Sequence, residues 1–456
     1  MSSKKVFITI NTKTDGFLNK IKNENGLKTQ HLVCNTSSTK TNNQNANTSR
    51  QDFDYYLYVI IPDLVEYDII PYLIDDSNKY PSRTRFYYEQ KNEDCAFNAH
   101  QIKSLNAIGQ MVEKNGGEWC KEYNELIRSL KQDPDHMEHP TRTAQKNNQS
   151  KSNDTRVFLG GTVNGSTWRD ALIEKLNVDY YNPVVSEWNE EARQRELLER
   201  INCDYNLYVI TPLMIGYYSI AEAVDDSYKK PGQTLYCFLN SDVDPSSENR
   251  EVRFSSEQLE SLRLIGNFIE LNGGIWCNSI NEVTTFFNKI HDNSLYYQTY
   301  TFLLERAVDW NRSNREVNRL MKGFDLADAK NWINNHRSAD VIPPSKLMQE
   351  FYELSRQEEV TAARDSVFIS YSRKASLSYA NVLFDQLSQS NVNVWFDKKR
   401  IRTGVDFRDE IQVGIERAGN FIFLISPESC ASPYCQQELD MAKKFCLLYT
   451  SPSPRD

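Results

Sequence analysis

From Ser366 onward the apolar positions of the chain switch repeatedly between two spacings. Ser366-Val-Phe-Ile-Ser370 is a short apolar run, and Ser376 to Ser390 carries Leu377, Ala380, Leu383, Phe384 and Leu387 at the spacing of one helix face. Val392 to Phe396 predicts a second strand. After Gly404, Phe407, Ile411 and Ile415 mark an amphipathic stretch ending at Ala418, and Phe421-Ile-Phe-Leu-Ile425 predicts a third strand closing into Ser426-Pro427. Strands and helices alternating at these lengths predict a parallel sheet covered on both faces. A last helix opens with Ser432 as candidate N-cap and Pro433 at its first position, and it carries Glu438.

The rest of the chain contains a duplication. Residues 203 to 231 align without gaps on residues 53 to 81 at an offset of 150, with 14 of 29 positions identical. The pairing resumes with Phe254, Gln258, Ile265-Gly266 and Asn272-Gly-Gly-x-Trp-Cys277 against Phe97, Gln101, Ile108-Gly109 and Asn115-Gly-Gly-x-Trp-Cys120. Two copies of one domain, at 1–130 and 156–290, flank a polar linker at 131–155. The copies have diverged: Tyr72 stands opposite Glu222, Thr9-Ile10 opposite Gly160-Gly161, and a polar tract from Asn35 to Arg50 replaces most of the early helix and strand of the first. The pattern predicts a pseudo-dimer in which the first copy supports the second.

The second copy opens with Val157-Phe-Leu-Gly-Gly-Thr162 and Gly165-Ser-Thr-Trp-Arg-Asp170, a strand, a glycine-containing turn and a helix. Gly160, Gly161 and Thr162, with Trp168 and Arg169, are candidate binding residues, because backbone N–H groups at such a turn can approach an anion that a helix N-terminus also favours. Glu222 has two readings: a nucleophile, or the returning half of a capping box with Ser219. Glu196 and Glu199 lie in a helix so polar that a solvated face is expected.

Residues 291–360 read as a helical connector, with Trp310 and Trp332 as core anchors rather than ligand platforms, and with a mechanical role of spacing or transmission. The net charge of −9 and pI near 5.4 argue against nucleic acid as partner. Nine cysteines without a paired framework fit a reducing compartment. His136 and His139 sit in the polar linker, and no metal site is expected. No apolar run approaches a membrane span, and Met1-Ser-Ser-Lys-Lys is not a signal peptide, so a cytoplasmic protein without membrane contact is expected.

Val367-Phe-Ile-Ser-Tyr-Ser-Arg373, Val394-Trp-Phe-Asp397, Ile401 with Gly404, Phe421 to Pro427 and Cys435-x-x-Glu438-Leu439 together resemble a bacterial-type Toll/interleukin-1 receptor (TIR) domain over residues 364–445. The resemblance implies a flavodoxin-like fold, NAD as substrate with no resident cofactor, and Glu438 as the catalytic residue. A carboxylate there suits the reaction, since breaking an N-glycosidic bond develops positive charge on the ribose. Ser370, Tyr371, Ser372, Arg373 and Asp397 are its candidate binding residues; for Glu438 the bland alternative is a solvated helix position, and for Arg373 a simple ion pair. The family also implies active sites completed by a neighbouring protomer, hence self-association, with Ile401 to Asp409 as the loop offered to it. The family continues with two more strands and helices. Residues 446–456 resemble none of them and read as one frame of a sequencing adapter, so the natural reading frame is expected to differ beyond Phe445.

In the second copy, Gly160-Gly161-Thr162, Tyr181-Asn-Pro-Val-Val185, Cys203 to Pro212 and Tyr218 to Asp225 resemble the nucleoside 2-deoxyribosyltransferase-like family over residues 156–290, which implies Glu222 as nucleophile. That family's enzymes place acids just before this helix, where Met214-Ile-Gly-Tyr-Tyr218 stands here.

The expected architecture is therefore α/β: three flavodoxin- or Rossmann-like parallel-sheet domains, two repeated and one partial TIR, joined by an α-helical connector. The expected function is signalling or defence, with the transferase-like domains sensing a nucleotide or nucleoside ligand and the TIR domain hydrolysing NAD. Two alternatives stand beside it: a non-catalytic TIR adaptor, and a deoxyribosyltransferase or nucleoside hydrolase acting through Glu222.

Overall fold

The computed structural model describes residues 4–11, 15–24, 26–33, 53–62, 67–92, 95–132, 155–185, 190–289, 295–335, 342–364, 366–390, 392–395, 411, 414–415 and 418–444. The chain divides into two compact units, one of residues 1–314 and 331–349, the other of residues 315–330 and 350–456.

In the first unit, the first repeat comprises β1 (Lys4–Ile10), α1 (Asp15–Lys22), β2 (Leu27–Val33), β3 (Tyr55–Ile60), α2 (Ile69–Lys79), β4 (Thr84–Tyr88), α3 (Ala99–Asn115), β5 (Glu118–Trp119) and α4 (Tyr123–Leu130). Its strands form a parallel sheet in the order β2-β1-β3-β4-β5. β3 is buried at every position, as a central strand covered on both faces must be. Alternate residues serve opposite faces: Tyr56, Tyr58 and Ile60 join one apolar cluster, Tyr55, Leu57 and Val59 another.

The second repeat comprises β6 (Arg156–Gly161), α5 (Trp168–Ile173), β7 (Asp179–Tyr181), α6 (Glu190–Asn202), β8 (Tyr205–Ile210), α7 (Tyr218–Lys229), β9 (Thr234–Phe238), the antiparallel hairpin β10 (Ser241–Asp244) and β11 (Arg250–Arg253), α8 (Ser256–Leu271), β12 (Ile275–Cys277) and α9 (Ile280–Lys289). Its main sheet runs β7-β6-β8-β9-β12, the same topology as the first.

The two repeats share one apolar core, which takes Tyr58, Ile70, Ile74 and Leu105 from the first and Tyr208, Ile220, Val224 and Leu262 from the second. Polar contacts across it occur in equivalent pairs. Gln101 Nε2 donates to Tyr217 Oη at 2.6 Å, and Gln258 Nε2 donates to Tyr67 Oη at 3.1 Å. Asn115 Nδ2 donates to Asp225 Oδ1, and Asn272 Nδ2 to Asp75 Oδ1, both at 3.0 Å. Each contact made twice is the mark of an isologous, two-fold interface, here built within one chain. The glycines of the repeated Ile-Gly pair have a packing role. A Cβ at Gly109 would lie 2.2 Å from the Trp119 ring, and one at Gly266 would lie 2.7 Å from the Trp276 ring.

The connector carries α10 (Leu295–Arg312), α11 (Phe324–Asn335) and α12 (Lys346–Arg364), and its residues are shared between the two units. In the first unit Trp310 is fully buried, and Trp332 stacks on Tyr296 with ring centroids 5.0 Å apart. In the second unit, the Met321 amide donates to Ser355 Oγ at 3.0 Å, fastening the 315–330 segment to α12.

The second unit continues with β13 (Ser366–Ser370), α13 (Leu377–Gln389), β14 (Asn393–Trp395), β15 (Asn420–Phe423), α14 (Pro427–Ala431) and α15 (Pro433–Lys444). Its parallel sheet runs β14-β13-β15. Val367 and Ile369 face α13, packing with Ala380, Leu383 and Phe384, while Phe368 packs on the other face with Ile415, Ala418 and Ala442. The molecule is thus a mixed α/β protein with several parallel sheets. Among the described residues no helix is long and apolar enough to cross a membrane.

Candidate functional site

In the second unit the candidate residues gather at the carboxyl end of β13. This strand is central, and its neighbours β14 and β15 lie on opposite sides, so the chain reverses its direction of winding there. Such a switch point opens a crevice outside the strand ends, where open α/β sheets hold ligands. Ser370 closes β13 and is 1% exposed. It lies on the same face as Phe368, the face covered by α15.

The Ser370 hydroxyl donates to Glu438 Oε2 at 2.6 Å. One turn earlier on α15, the Cys435 thiol donates to the Tyr371 carbonyl at 3.5 Å. Residues 435 and 438 share a helix face by their spacing, so the two bonds fix how α15 presents its glutamate to the strand end. The helix start is held by Ser432, whose Oγ accepts from the Cys435 amide at 3.4 Å. The preceding turn is closed by a capping box between Ser426 and Ser429.

Glu438 is half-buried, so a molecule in the crevice can reach it, and it is not the fully solvated glutamate that its helix position alone would suggest. The Ser370 bond fixes the orientation of the carboxyl group, and a carboxylate so held can stabilise or trap a developing cation. Tyr371 and Ser372, which follow Ser370 in the chain, are buried, and Arg373 is exposed. Asp397 and the loop Ile401 to Asp409 lie outside the described residues.

In the second repeat the candidate binding groups bond to one another. Gly161 adopts φ of +111°, and a Cβ there would stand 2.1 Å from the Val209 carbonyl oxygen, so only glycine fits. At Gly160 a Cβ would lie 2.7 Å from the Tyr208 ring. The Thr162 amide donates to the Val209 carbonyl at 2.9 Å, and its carbonyl accepts from Trp168 Nε1 at 2.9 Å and from Arg169 Nη1 at 2.6 Å. Arg169 also donates to the carbonyls of Leu159 and Gly161 and is 4% exposed. In this arrangement the guanidinium braces the end of β6. Burial lowers its pKa to about 10, against the pull of Glu196 and Asp170.

Glu222 is 4% exposed and accepts from Arg200 Nη1 at 3.1 Å. The capping-box alternative differs from what the backbone does: α7 starts at Tyr218 with Tyr217 as N-cap and no side-chain capping bond. Arg200 is shared. It bonds Asp226 at 2.8 and 2.7 Å and Asp225 at 3.4 Å, while Asp226 also accepts from Asn206 at 2.7 Å and Tyr208 at 2.5 Å. One guanidinium faces three carboxyl groups; Asp225, the most distant of them, also accepts from Asn78, Asn115 and Lys229, whereas among the described residues the Glu222 carboxyl accepts from Arg200 alone. Burial pushes its pKa up to about 8; Arg200 opposes the shift and Glu196 adds to it.

Glu196 and Glu199 are not a solvated face. Glu199 pairs with Arg156 at 2.7 Å, and burial raises Glu196 to about 7 against the pull of Arg200, Arg169 and, from the first repeat, Lys103. Arg200 was absent from the candidates because it sits in a strongly polar helix. A signal for it exists in the duplication, since at the 150-residue offset Arg200, Tyr208 and Asp226 fall on Arg50, Tyr58 and Asp76. Tyr58 Oη donates to Asp76 in the first repeat as Tyr208 does to Asp226 in the second.

Residues 367–448 match the TIR domain family, so the chain carries a TIR domain, with the match running to residue 448 rather than 445. Over 172 residues the chain is 20% identical to the NAD(+) hydrolase TcpC of Escherichia coli O6:H1, an alignment covering 36% of this chain. The chain spans 56% of the length of that relative.

Proposed function

We propose that the TIR domain hydrolyses NAD, with Glu438 as the carboxylate beside the ribose anomeric carbon, and that the duplicated unit senses a nucleotide-related ligand that controls it. The observation that carries the reading is the Ser370–Glu438 hydrogen bond at the switch point of the second unit's sheet. Cleavage of the bond between nicotinamide and ribose leaves an oxocarbenium-like sugar, and a carboxylate fixed beside it lowers the barrier by stabilising that charge. The similarity to an NAD(+) hydrolase supports the choice of substrate. Self-association through TIR domains would complete the site, making assembly the switch.

The experiment is nicotinamide release from NAD by the natural full-length protein, with and without nucleotides, compared with its Glu438→Ala variant. An NAD hydrolase loses both product and signalling output in the variant. An adaptor keeps its output and releases nicotinamide in neither form.

A second reading draws on the raised carboxyl groups of Glu222 and Glu196 in the second repeat. Paired acids of that kind suit base exchange or hydrolysis on a nucleoside, in keeping with the transferase-like resemblance of residues 156–290. Release of free base from a deoxynucleoside, lost in Glu222→Gln, tests it.

A further inference from the structure

Helices α3 and α8 cap their own starts. In each the third helical residue, Gln101 or Gln258, turns its Oε1 back to the N-cap amide at 3.0 Å and completes a capping box. Helix α7, which carries Glu222, has Ile220 at that position, and its side chain has no acceptor to offer. The amide of its N-cap residue, Tyr217, donates instead to Ser104 Oγ of the first repeat at 2.7 Å. The helix that bears the buried acid of the second repeat is therefore capped from the other copy.

The surroundings of this bond are built for it. Ser104 and Tyr217 are both buried, so water does not readily replace the hydroxyl, and an unmet buried amide is costly. Gly216 lets the two segments close in, since a Cβ there would stand 3.1 Å from Ser104 Oγ. Gln101, besides closing its own capping box, holds Tyr217 Oη at 2.6 Å. Two bonds from α3 thus fix the residue at which α7 begins. Tyr218, the next residue, shares a helix face with Glu222 one turn on, and the Glu222 carboxyl meets Arg200 of α6 at 3.1 Å. The cap sets the direction in which α7 leaves the interface, and with it the approach of Glu222 to Arg200.

The duplication separates what the fold needs from what the acid needs. The glutamine bond is made twice, Gln101 to Tyr217 and Gln258 to Tyr67, and belongs to the shared scaffold. The serine bond is not repeated: Ser261, the counterpart of Ser104, is fully buried and its hydroxyl has no hydrogen-bond partner among the described residues. Gly216 corresponds to Glu66, and Glu222 to Tyr72. The cap across the interface is thus directed at the repeat that holds the acid.

We propose that Ser104 is a positioning residue for Glu222: by capping α7 across the interface, the first repeat holds the acid of the second against Arg200, so that the acid site is the work of both copies. This deepens the second reading of the function and rests on it for the reaction alone. The groups that bear on the Glu222 charge are Arg200 and Glu196 of α6, Tyr208 of β8, and Tyr218, Asp225 and Asp226 of α7 itself. From the first repeat, Lys103 acts on Glu196. Replacing Ser104 leaves every one of these groups in place, so a change in the behaviour of Glu222 reports its position.

The test combines amide hydrogen exchange of the purified chain, read by mass spectrometry, with unfolding midpoints from pH 5 to 8.5. Ser104→Ala is expected to speed exchange over residues 213–222 about fivefold or more, the equivalent of one net hydrogen bond, and to leave residues 255–262 unchanged. The mirror variant Ser261→Ala is expected to leave residues 67–76 unchanged. Loosening the start of α7 admits water to Glu222 and brings its pKa down, so the fall of stability with rising pH should flatten in Ser104→Ala as in Glu222→Gln, and no further in the double variant. Ser104→Cys, close in size with a weaker acceptor, should fall between and replaces Ser104→Ala if that variant does not fold. Unchanged exchange at 213–222 overturns the proposal, as does faster exchange with the parental pH slope, which would make Ser104 a structural cap only, or equal loosening by Ser261→Ala, which would make the contact a general one. Neither measurement uses a substrate, so a parent that releases no base counts against the reaction and not against the positioning.

Discussion

The hydroxyl of Ser370 donates to Glu438 Oε2 at 2.6 Å, joining the last residue of the central strand β13 to the middle of α15. The serine is buried and the glutamate half-buried, so the bond orients a carboxylate that still reaches the crevice at the strand ends. The two elements meet at that point, and the chemistry proposed for the TIR domain depends on their alignment.

Ser370→Ala removes the orienting donor but leaves the carboxylate. In the natural full-length protein, nicotinamide release is expected to fall roughly tenfold or more, because a loosely held catalytic group samples unproductive geometry. The loss should appear in kcat more than in KM, and Ser370→Thr, which keeps a hydroxyl, should recover part of it. The cost to stability is about 1 kcal/mol, the usual net value of one such bond. Steady-state kinetics and urea unfolding separate the two effects.

Arg200 holds Glu222, Asp225 and Asp226 together in the second repeat. Replacing it with alanine strands buried carboxyl groups, and removal of one partner from such a cluster costs roughly 3–5 kcal/mol. Denaturant unfolding of the Arg200→Ala variant should show this loss, or the protein should fail to accumulate folded. A milder loss is expected for Lys79→Ala, whose lysine is a third exposed and pairs with Asp75 at 2.8 Å.

The raised carboxyl of Glu222 gives the first unit a pH dependence. Its pKa in the folded protein is about 8, because burial disfavours the charged form, whereas the unfolded chain ionises near 4.5. The folded state therefore binds the extra proton between these values, so stability is complete below about pH 4.5 and is lost as pH rises through about 8. Glu196 and Glu270, both raised to about 7 by burial, act in the same direction. The slope cannot exceed roughly 1.4 kcal/mol per pH unit for each carboxyl. Unfolding midpoints from pH 5 to 8.5 should fall with rising pH in the parent and fall less steeply in Glu222→Gln.

Gly109 and Gly266 each lie under a tryptophan ring closer than any side chain permits. Alanine at either site must displace the indole, and overpacking of this kind costs about 1–3 kcal/mol. Equal losses at the two sites, measured by urea unfolding, would follow from the two-fold relation between the repeats.

Much of this arrangement is legible in the sequence. The apolar run at Ser366–Ser370 falls on β13, since a buried parallel strand needs apolar residues on both faces, whereas the run Phe421–Ile425 meets β15 only as far as Phe423, because that strand is half-buried and ends there, leaving Ile425 81% exposed. The 150-residue offset anticipates the paired bonds of Gln101 with Tyr217 and Gln258 with Tyr67. Charge pairing across long separations is much less visible. Arg200 and Glu199 sit in a helix whose composition reads as solvated, and only the packing of α6 against the sheet turns their charges inward. Similarly, the glycines at 160 and 161 suggest an anion cradle, whereas the structure uses them for close backbone and ring contacts. A cavity lined by Tyr87 to Lys91, Asn106 and Trp119 to Lys121 is not legible in the sequence, because its lining comes from three separate segments that only the folded sheet edge brings together.

The most direct test of the central claim is nicotinamide release by the Glu438→Gln variant of the natural full-length protein. Glutamine keeps an oxygen that can accept from Ser370 and preserves the shape of the site, so only the negative charge is lost. A fall on the order of 10²-fold or more, with unchanged folding and self-association, is the predicted result, in line with the loss of a fixed charge facing a cationic transition state. Release at the parental rate would contradict it and would remove Glu438 from the chemistry.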